Sequence, residues 1–238
     1  MILKNEKIKT KTTTYQPLHI EEKMGLEKIL DAESVAIVGA SKNETKRGYQ
    51  SIRTLLELKY DGKIYPVNPK EKNILGISCY SKITAIPDSV DMALICTPAK
   101  TIPTVLEECG KKMISGAVLL AGGFGETGLA GRKLESQIVQ VAQKHNIRLI
   151  GPNTSGMINF KKSLNLVGLK DAPKGDIALL SQSGNMALTL ITEAKIKSRK
   201  GFSYYVGVGN EADIRYHEYL KFFGDNPDTH AILMYVEG

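Results

Sequence analysis

From residue 34 onward the chain alternates short, largely β-branched apolar runs with longer stretches whose apolar positions recur every three or four residues. The runs are Val35-Ala36-Ile37-Val38, Ile64-Tyr65-Pro66-Val67, Met92-Ala93-Leu94-Ile95-Cys96, Ala117-Val118-Leu119-Leu120 and Arg148-Leu149-Ile150. Runs that are apolar throughout, rather than at every second position, fit strands covered on both faces, as in a parallel sheet. The periodic stretches lie between them, over 49–60, 101–112 and 128–146, and predict helices. Strand and helix in alternation predict an α/β domain over 25–150, with a doubly wound sheet and right-handed crossovers.

A stretch rich in Gly, Pro, Asn and Lys breaks the rhythm and predicts a connecting segment over 151–175. The alternation then resumes: a strand over 177–180, an amphipathic helix over 185–197, a strand over 202–206, a helix over 213–223 and a strand over 231–236. This predicts a second α/β domain over 176–238. Its last strand runs into Glu237-Gly238 with no helix to follow, the pattern expected of a truncated or separately encoded fragment. Residues 1–24, rich in Lys and Thr, predict a flexible basic arm.

Composition narrows the class. A chain of 238 residues accommodates two ordinary domains, and 42% hydrophobic with 24% charged positions is a globular balance. No apolar run reaches the roughly 18 residues a membrane-spanning helix needs, and the first residues lack the apolar core of a signal peptide. A cytoplasmic protein without a membrane partner is therefore expected. Cys79, Cys96 and Cys109 are odd in number and have no paired spacing, which predicts buried thiols rather than disulfides or metal ligands. The net charge of +7 suits anions, but the basic residues are scattered and Trp is absent, so no stacking surface for nucleic acid is expected.

In open α/β sheets ligands bind beyond the carboxyl ends of the strands, so the residues that follow each strand carry the candidate chemistry. The first strand delivers Gly39-Ala40-Ser41-Lys42, then Gly48. A NAD site wants G-x-G-x-x-G and an acidic residue about 20 positions later. Here Ser41 and Glu44 take the second and third glycine positions, and the second strand ends in Val67-Asn68-Pro69-Lys70 without a carboxylate. NAD is disfavoured. Unless it is only a solvated turn residue, Lys70 favours a ligand with an extra phosphate, either NADP or the 3′-phosphorylated ADP of coenzyme A.

Three more loops complete that edge. They are Thr97-Pro98-Ala99, Ala121-Gly122-Gly123-Phe124-Gly125-Glu126 and Gly151-Pro152-Asn153-Thr154, and glycines in such loops let a ligand approach the backbone closely. In the second domain, Leu179-Leu180-Ser181-Gln182-Ser183-Gly184 turns a strand directly into a helix. Free N–H groups and the positive end of the helix dipole then meet beside two serines, which suits a phosphate, unless the serines merely cap the helix.

Taken in order, Val38-Gly39-Ala40-Ser41, Pro66-Val67-Asn68-Pro69-Lys70, Thr97-Pro98-Ala99, the glycine loop through Thr127-Gly128, Gly151-Pro152-Asn153, the turn at 179–184, Gly209-Asn210-Glu211-Ala212-Asp213 and Tyr235-Val236-Glu237-Gly238 form a set. That set resembles the NDP-forming acyl-CoA synthetases, the family of ADP-forming acetyl-CoA synthetase and the succinyl-CoA synthetase α chain, over about residues 30–238. The resemblance implies a Rossmann-like CoA-binding domain followed by a flavodoxin-like, doubly wound domain. It implies that Gly39, Ala40, Ser41, Asn68, Lys70, Thr97, Pro98, Ala99, Gly122, Gly123, Phe124 and Asn153 hold CoA. It implies that Ser181, Gln182, Ser183 and Gly184 hold a phosphoryl group, and that Glu237 accepts a hydrogen bond from a phosphorylated histidine and so fixes its tautomer.

The implied reaction interconverts acyl-CoA, phosphate and NDP with free acid, CoA and NTP. An ATP-grasp partner domain or subunit would carry the Mg-nucleotide, a small carboxylic acid and phosphate would be the other reactants, and an oligomer is expected. Alone, this chain is expected to bind CoA and turn over nothing. The alternative is a non-catalytic CoA-binding regulatory module, such as the synthetase-like half of a protein acetyltransferase; an NADP-dependent oxidoreductase is a third reading.

Three departures from the family pattern stand out. None of His19, His145, His217 or His230 lies in a Ser-His-Thr-Gly type motif, which in the family follows the Tyr-x-Glu-Gly segment. Thr154-Ser155 replaces the Cys-Leu or Cys-Pro usual after Gly-Pro-Asn, and Arg215-Tyr216-His217 stands where small or acidic residues are usual.

Overall fold

The computed structural model describes residues 26–197 and 200–237. Five parallel strands form the first sheet: β1 (Ser34–Val38), β2 (Lys63–Val67), β5 (Met92–Ile95), β6 (Gly116–Leu119) and β7 (Arg148–Ile150), in the order β2-β1-β5-β6-β7. Between β2 and β5 a small hairpin pairs β3 (Asn73–Ile74) with β4 (Ile77–Ser78). Every residue of β1, β5 and β6 is buried, as unbroken apolar runs require. Pro66, which cannot donate to a ladder on both sides, stands in the edge strand β2.

Alternate residues of β1 serve opposite layers. Val35 and Ile37 share a core with Ile52 and Leu55 of α1 (Arg47–Glu57), whereas Ala36 and Val38 join Ile102 and Leu106 of α2 (Ile102–Lys111) and Ile138 of α3 (Leu129–Lys144). Beyond the helices, Lys59, Met113 and Asn146 take φ of 56°, 58° and 54°, the left-handed geometry that closes a helix and turns the chain toward the next strand. This is a Rossmann-like doubly wound layer structure, with its switch point between β1 and β5.

The second sheet is mixed. Its order is β12-β10-β11-β8-β9, in which β10 (Lys174–Ser181) pairs in parallel with β11 (Phe202–Gly207) and β12 (Ala231–Tyr235). The stretch 151–175, expected to be a connecting segment, instead donates β8 (Met157–Asn159) and β9 (Leu164–Asn165), which add antiparallel strands to that sheet. Strands of two or three residues are too short to show a period, and so they escaped the pattern. Helices α4 (Gly184–Lys197) and α5 (Tyr216–Gly224) complete the domain.

The amphipathic reading of α4 holds only in part. Ala187 and Ile191 are buried, but Leu188 is 48% and Ile196 70% exposed. The thiols also divide: Cys109 is buried, while Cys79 and Cys96 are half-buried, and all three are free. Among the described residues no helix is long and apolar enough to cross a membrane.

The two sheets do not stand apart. Ala178, Leu180, Tyr204, Val206, Tyr219 and Phe223 of the second domain lie in one continuous core with Leu26, Ile29, Val35 and Ile52 of the first. Polar ties cross the same boundary. Tyr204 donates to Asp31 Oδ1 at 2.8 Å, Asn159 Nδ2 to Asp31 Oδ1 at 2.6 Å, and Arg148 to Asp213 Oδ2 at 3.0 Å and Glu218 Oε2 at 2.7 Å.

Candidate functional site

At the switch point the carboxyl ends of β1 and β5 splay apart and leave a cleft of about 440 Å³, lined by Gly39, Ala40, Ser41, Lys46, Asn68, Cys96, Thr97, Pro98 and Ala121. Two glycines make the geometry possible. Gly39 has φ of +84°, and a Cβ there would meet Thr97 Cγ2 at 3.0 Å; a Cβ on Gly48 would come within 2.4 Å of the Gly39 carbonyl oxygen, so α1 packs hard against the loop. Asn68 Nδ2 donates to the Ala40 carbonyl at 2.6 Å, and Asn68 Oδ1 accepts from the Lys70 amide at 2.9 Å. Asn68 therefore braces the loops that follow β1 and β2.

The cations on this rim differ in what they can offer. Lys42 is paired with Glu71 at 3.0 Å, whereas Lys46 and Lys70 are exposed and make no ion pair with any described residue. Lys46, in the cleft wall, was not among the candidates read from the sequence. Cys96, also in the wall, has its thiol pushed up to about 12 by burial, partly opposed by the charge of Arg47. A larger hollow of about 670 Å³ lies at the opposite, amino ends of the strands. Its lysines are already paired, Lys28 with Asp91 at 3.0 Å, Lys63 with Asp88 at 3.2 Å and Lys162 with Glu33 at 3.7 Å, and parallel sheets place ligands at the other end.

The glycine loop after β6 differs from expectation. Phe124 is fully buried in the core beneath α2 and α3, so its side chain does not face the cleft. The Gly123 amide donates to Glu126 Oε1 at 2.5 Å and the Phe124 amide to the same oxygen at 3.2 Å, so the chain's own carboxylate fills the amide cradle. Burial pushes the Glu126 carboxyl upward, but the hydrogen bonds from Asn210 and from the loop amides outweigh it and hold the group below the usual carboxylate range. Asn210 Nδ2 reaches both Glu126 Oε2 at 2.6 Å and Glu135 Oε2 at 2.9 Å, and its Oδ1 accepts from Asn153 Nδ2 at 3.3 Å. Asn153 thus stands beside the glycine loop, outside the cleft wall.

The second centre is the turn from β10 into α4. Ser181 is buried and donates to the Ser183 carbonyl at 2.7 Å, while Ser183 Oγ accepts from the Met186 amide at 3.3 Å, an N-cap bond. The capping reading is thus correct for Ser183, and it leaves the amides of residues 183–185 without a partner among the described residues. Gln182 is clasped from two sides: its Nε2 donates to Glu211 Oε2 at 3.2 Å and its Oε1 accepts from the Glu237 amide at 2.6 Å. Glu237 is exposed at the end of this arrangement. His145 pairs with Glu107 Oε2 at 2.7 Å and His230 with Asp176 Oδ2 at 3.6 Å; His19 lies outside the described residues.

Asn210 and Glu211 are neighbours in one loop, pinned by the Asn210 amide to the Pro152 carbonyl at 2.9 Å. Asn210 holds the first domain's glycine loop, and Glu211 holds Gln182 of the second domain's turn. The Asn-Glu pair was visible as part of a motif, but only the fold brings its two side chains to different sites.

Comparison with known proteins agrees with this division. Residues 33–159 match the CoA binding domain family, and residues 174–238 match the succinyl-CoA ligase like flavodoxin domain. The acetate–CoA ligase [ADP-forming] I subunit alpha of Pyrococcus furiosus is 43% identical over 220 residues, covering 90% of this chain and 47% of that protein. The acetate–CoA ligase [ADP-forming] of Methanocaldococcus jannaschii is 42% identical over 207 residues, covering 87% of this chain and 29% of that protein. Among solved structures, the dinucleotide forming acetyl-coenzyme A synthetase 1 of Ca. Korarchaeum cryptofilum, in complex with phosphate and ADP, superposes with a TM-score of 0.85 at 36% identity, covering 90% of this chain and 46% of that one. The chain spans about half the length of these relatives, or less.

Proposed function

Because the chain belongs to the NDP-forming acyl-CoA synthetase family, through its CoA-binding and flavodoxin-like ligase domains, we propose that it is the CoA-binding part of a synthetase interconverting acyl-CoA, NDP and phosphate with carboxylic acid, CoA and NTP. Orthophosphate attacks the thioester carbonyl, the C–S bond breaks, and CoA leaves as its thiol with acyl phosphate remaining. The phosphoryl group then passes to a histidine, releasing the carboxylate, and from there to the NDP.

In this reading the chain's own residues bind and position. Gly39 to Ser41 and Thr97 to Ala99 receive CoA in the cleft, with the free ammonium groups of Lys46 and Lys70 beside its phosphates. The open amides of residues 183–185, at the positive end of α4, stabilise charge on the moving phosphoryl group, the main catalytic term in such transfers. Glu237, anchored through its amide by Gln182, offers a carboxylate to the second ring nitrogen of the phosphorylated histidine. A partner ATP-grasp domain or subunit supplies the Mg-nucleotide, and the assembly is an oligomer.

The observation that carries this reading is the pairing of a switch-point cleft with a second amide-rich turn, tied together through Asn210 and Glu211. The ligase names of the relatives favour it over a regulatory module. Isothermal titration with CoA, dephospho-CoA, NADPH and NADH tests it. CoA should bind and dephospho-CoA should bind more weakly; heat with NADPH and none with CoA would overturn the assignment.

A further inference from the structure

Ser155 occupies the seam between the two centres. Its carbonyl accepts from Arg47 Nη2 at 2.8 Å, the same nitrogen donating to the Leu166 carbonyl at 3.2 Å, so the first turn of α1 fixes the backbone there. Its Oγ lies 2.6 Å from the hydroxyl of Tyr205. Tyr205 is only 1% exposed, and its hydroxyl has no other hydrogen-bond partner among the described residues. A buried phenol keeps its proton satisfied only by donating it, so Tyr205 donates and Ser155 Oγ accepts.

The Ser155 proton is then left for a different acceptor, and among the described residues there is none. The neighbouring Thr154 is unlike it, since its buried hydroxyl already donates to the Gly207 carbonyl. Ser155 packs against two glycines: a Cβ on Gly207 would lie 2.5 Å from Ser155 Oγ, and one on Gly184 would lie 3.4 Å away. Gly184 is the first residue of α4, so the hydroxyl stands beside the unpartnered amides of residues 183–185.

Resting on the reading that this turn receives a phosphoryl group, we propose that Ser155 is a binding residue for that group, its hydroxyl aimed by Tyr205 to donate to a phosphoryl oxygen. Tyr205 is a positioning residue that acts only through Ser155. The pair adds a side-chain donor to a site otherwise built from main-chain amides.

The test titrates inorganic phosphate, followed by calorimetry and phosphorus NMR, into the full chain and into Ser155→Ala, Tyr205→Phe and the double variant, with CoA titrated in parallel. Loss of one charge-assisted donor should weaken phosphate binding by about tenfold in Ser155→Ala. Tyr205→Phe should give a smaller loss, and no further loss once Ser155 is gone, while CoA affinity stays unchanged throughout. Phosphate binding as tight in Ser155→Ala as in the wild type would overturn the role of Ser155 alone. Equal binding by Tyr205→Phe would overturn the aiming, whether or not Ser155→Ala folds. Wild-type chain that binds CoA but no phosphate would overturn the reading of the turn itself, and this proposal with it.

Discussion

Glu126 turns a loop of glycines into a fixed object, because its carboxylate is the acceptor for the Gly123 and Phe124 amides and for Asn210. Glu126→Gln keeps the shape but removes the charge, and should lower the melting temperature. The sign of its pH dependence follows from the depressed pKa. The stabilisation is fully present above the unfolded value of about 4.3 and is lost as pH falls through the lower folded value. The difference in melting temperature between wild type and Glu126→Gln should therefore be constant above about pH 5 and shrink below about pH 4. A difference that grows on acidification would contradict the assignment. Lys70→Glu should weaken CoA by about tenfold or more through lost attraction and added repulsion, and dephospho-CoA much less; equal losses for the two would remove Lys70 from the 3′-phosphate. What was legible at this scale was residue type at the loop positions. What was not was direction, since neither the burial of Phe124 nor the self-contact of Glu126 leaves a mark in the order of residues.

At the scale of elements, β7 and α5 are joined by Arg148, whose guanidinium reaches Asp213 and Glu218. Burial opposes its charge, but the two carboxylates outweigh that and raise its pKa further. Glu218 is 6% exposed and also accepts the Arg215 amide at the start of α5. Arg148→Ala leaves that carboxylate buried without a counter-charge and should destabilise the fold by about 3 kcal/mol, read from urea unfolding. Residues 215–217 open the helix whose Glu218 crosses to the other domain, through the backbone amide of Arg215. Strands β1, β5 and β6 were plain in the sequence because burial on both faces selects unbroken apolar runs. The strands β8 and β9 were not, because pairing, of β8 with β11 and of β9 with β8, rather than local pattern makes them strands.

For the whole molecule, the alternation of elements correctly predicts an α/β fold, read as two domains in series. The shared core instead places Tyr204 and Phe223 against the same layer as Leu30 and Ile52. Unfolding followed by calorimetry should therefore show one cooperative transition, with calorimetric and van't Hoff enthalpies agreeing; two resolved transitions would contradict the common core. The core escaped the sequence reading because an apolar face records that it is covered and never by what.

The loop between Gly207 and Tyr216 has a consequence of its own, since adjacent side chains on it hold both neighbours, Asn210 by donating to Glu126 and Glu211 by accepting from Gln182. Inserting or deleting a residue there would displace both grips together. The proposed CoA cleft and the proposed phosphate turn thus share one mechanical link, and grafting either half from a relative without this loop would mate parts cut to different gauges.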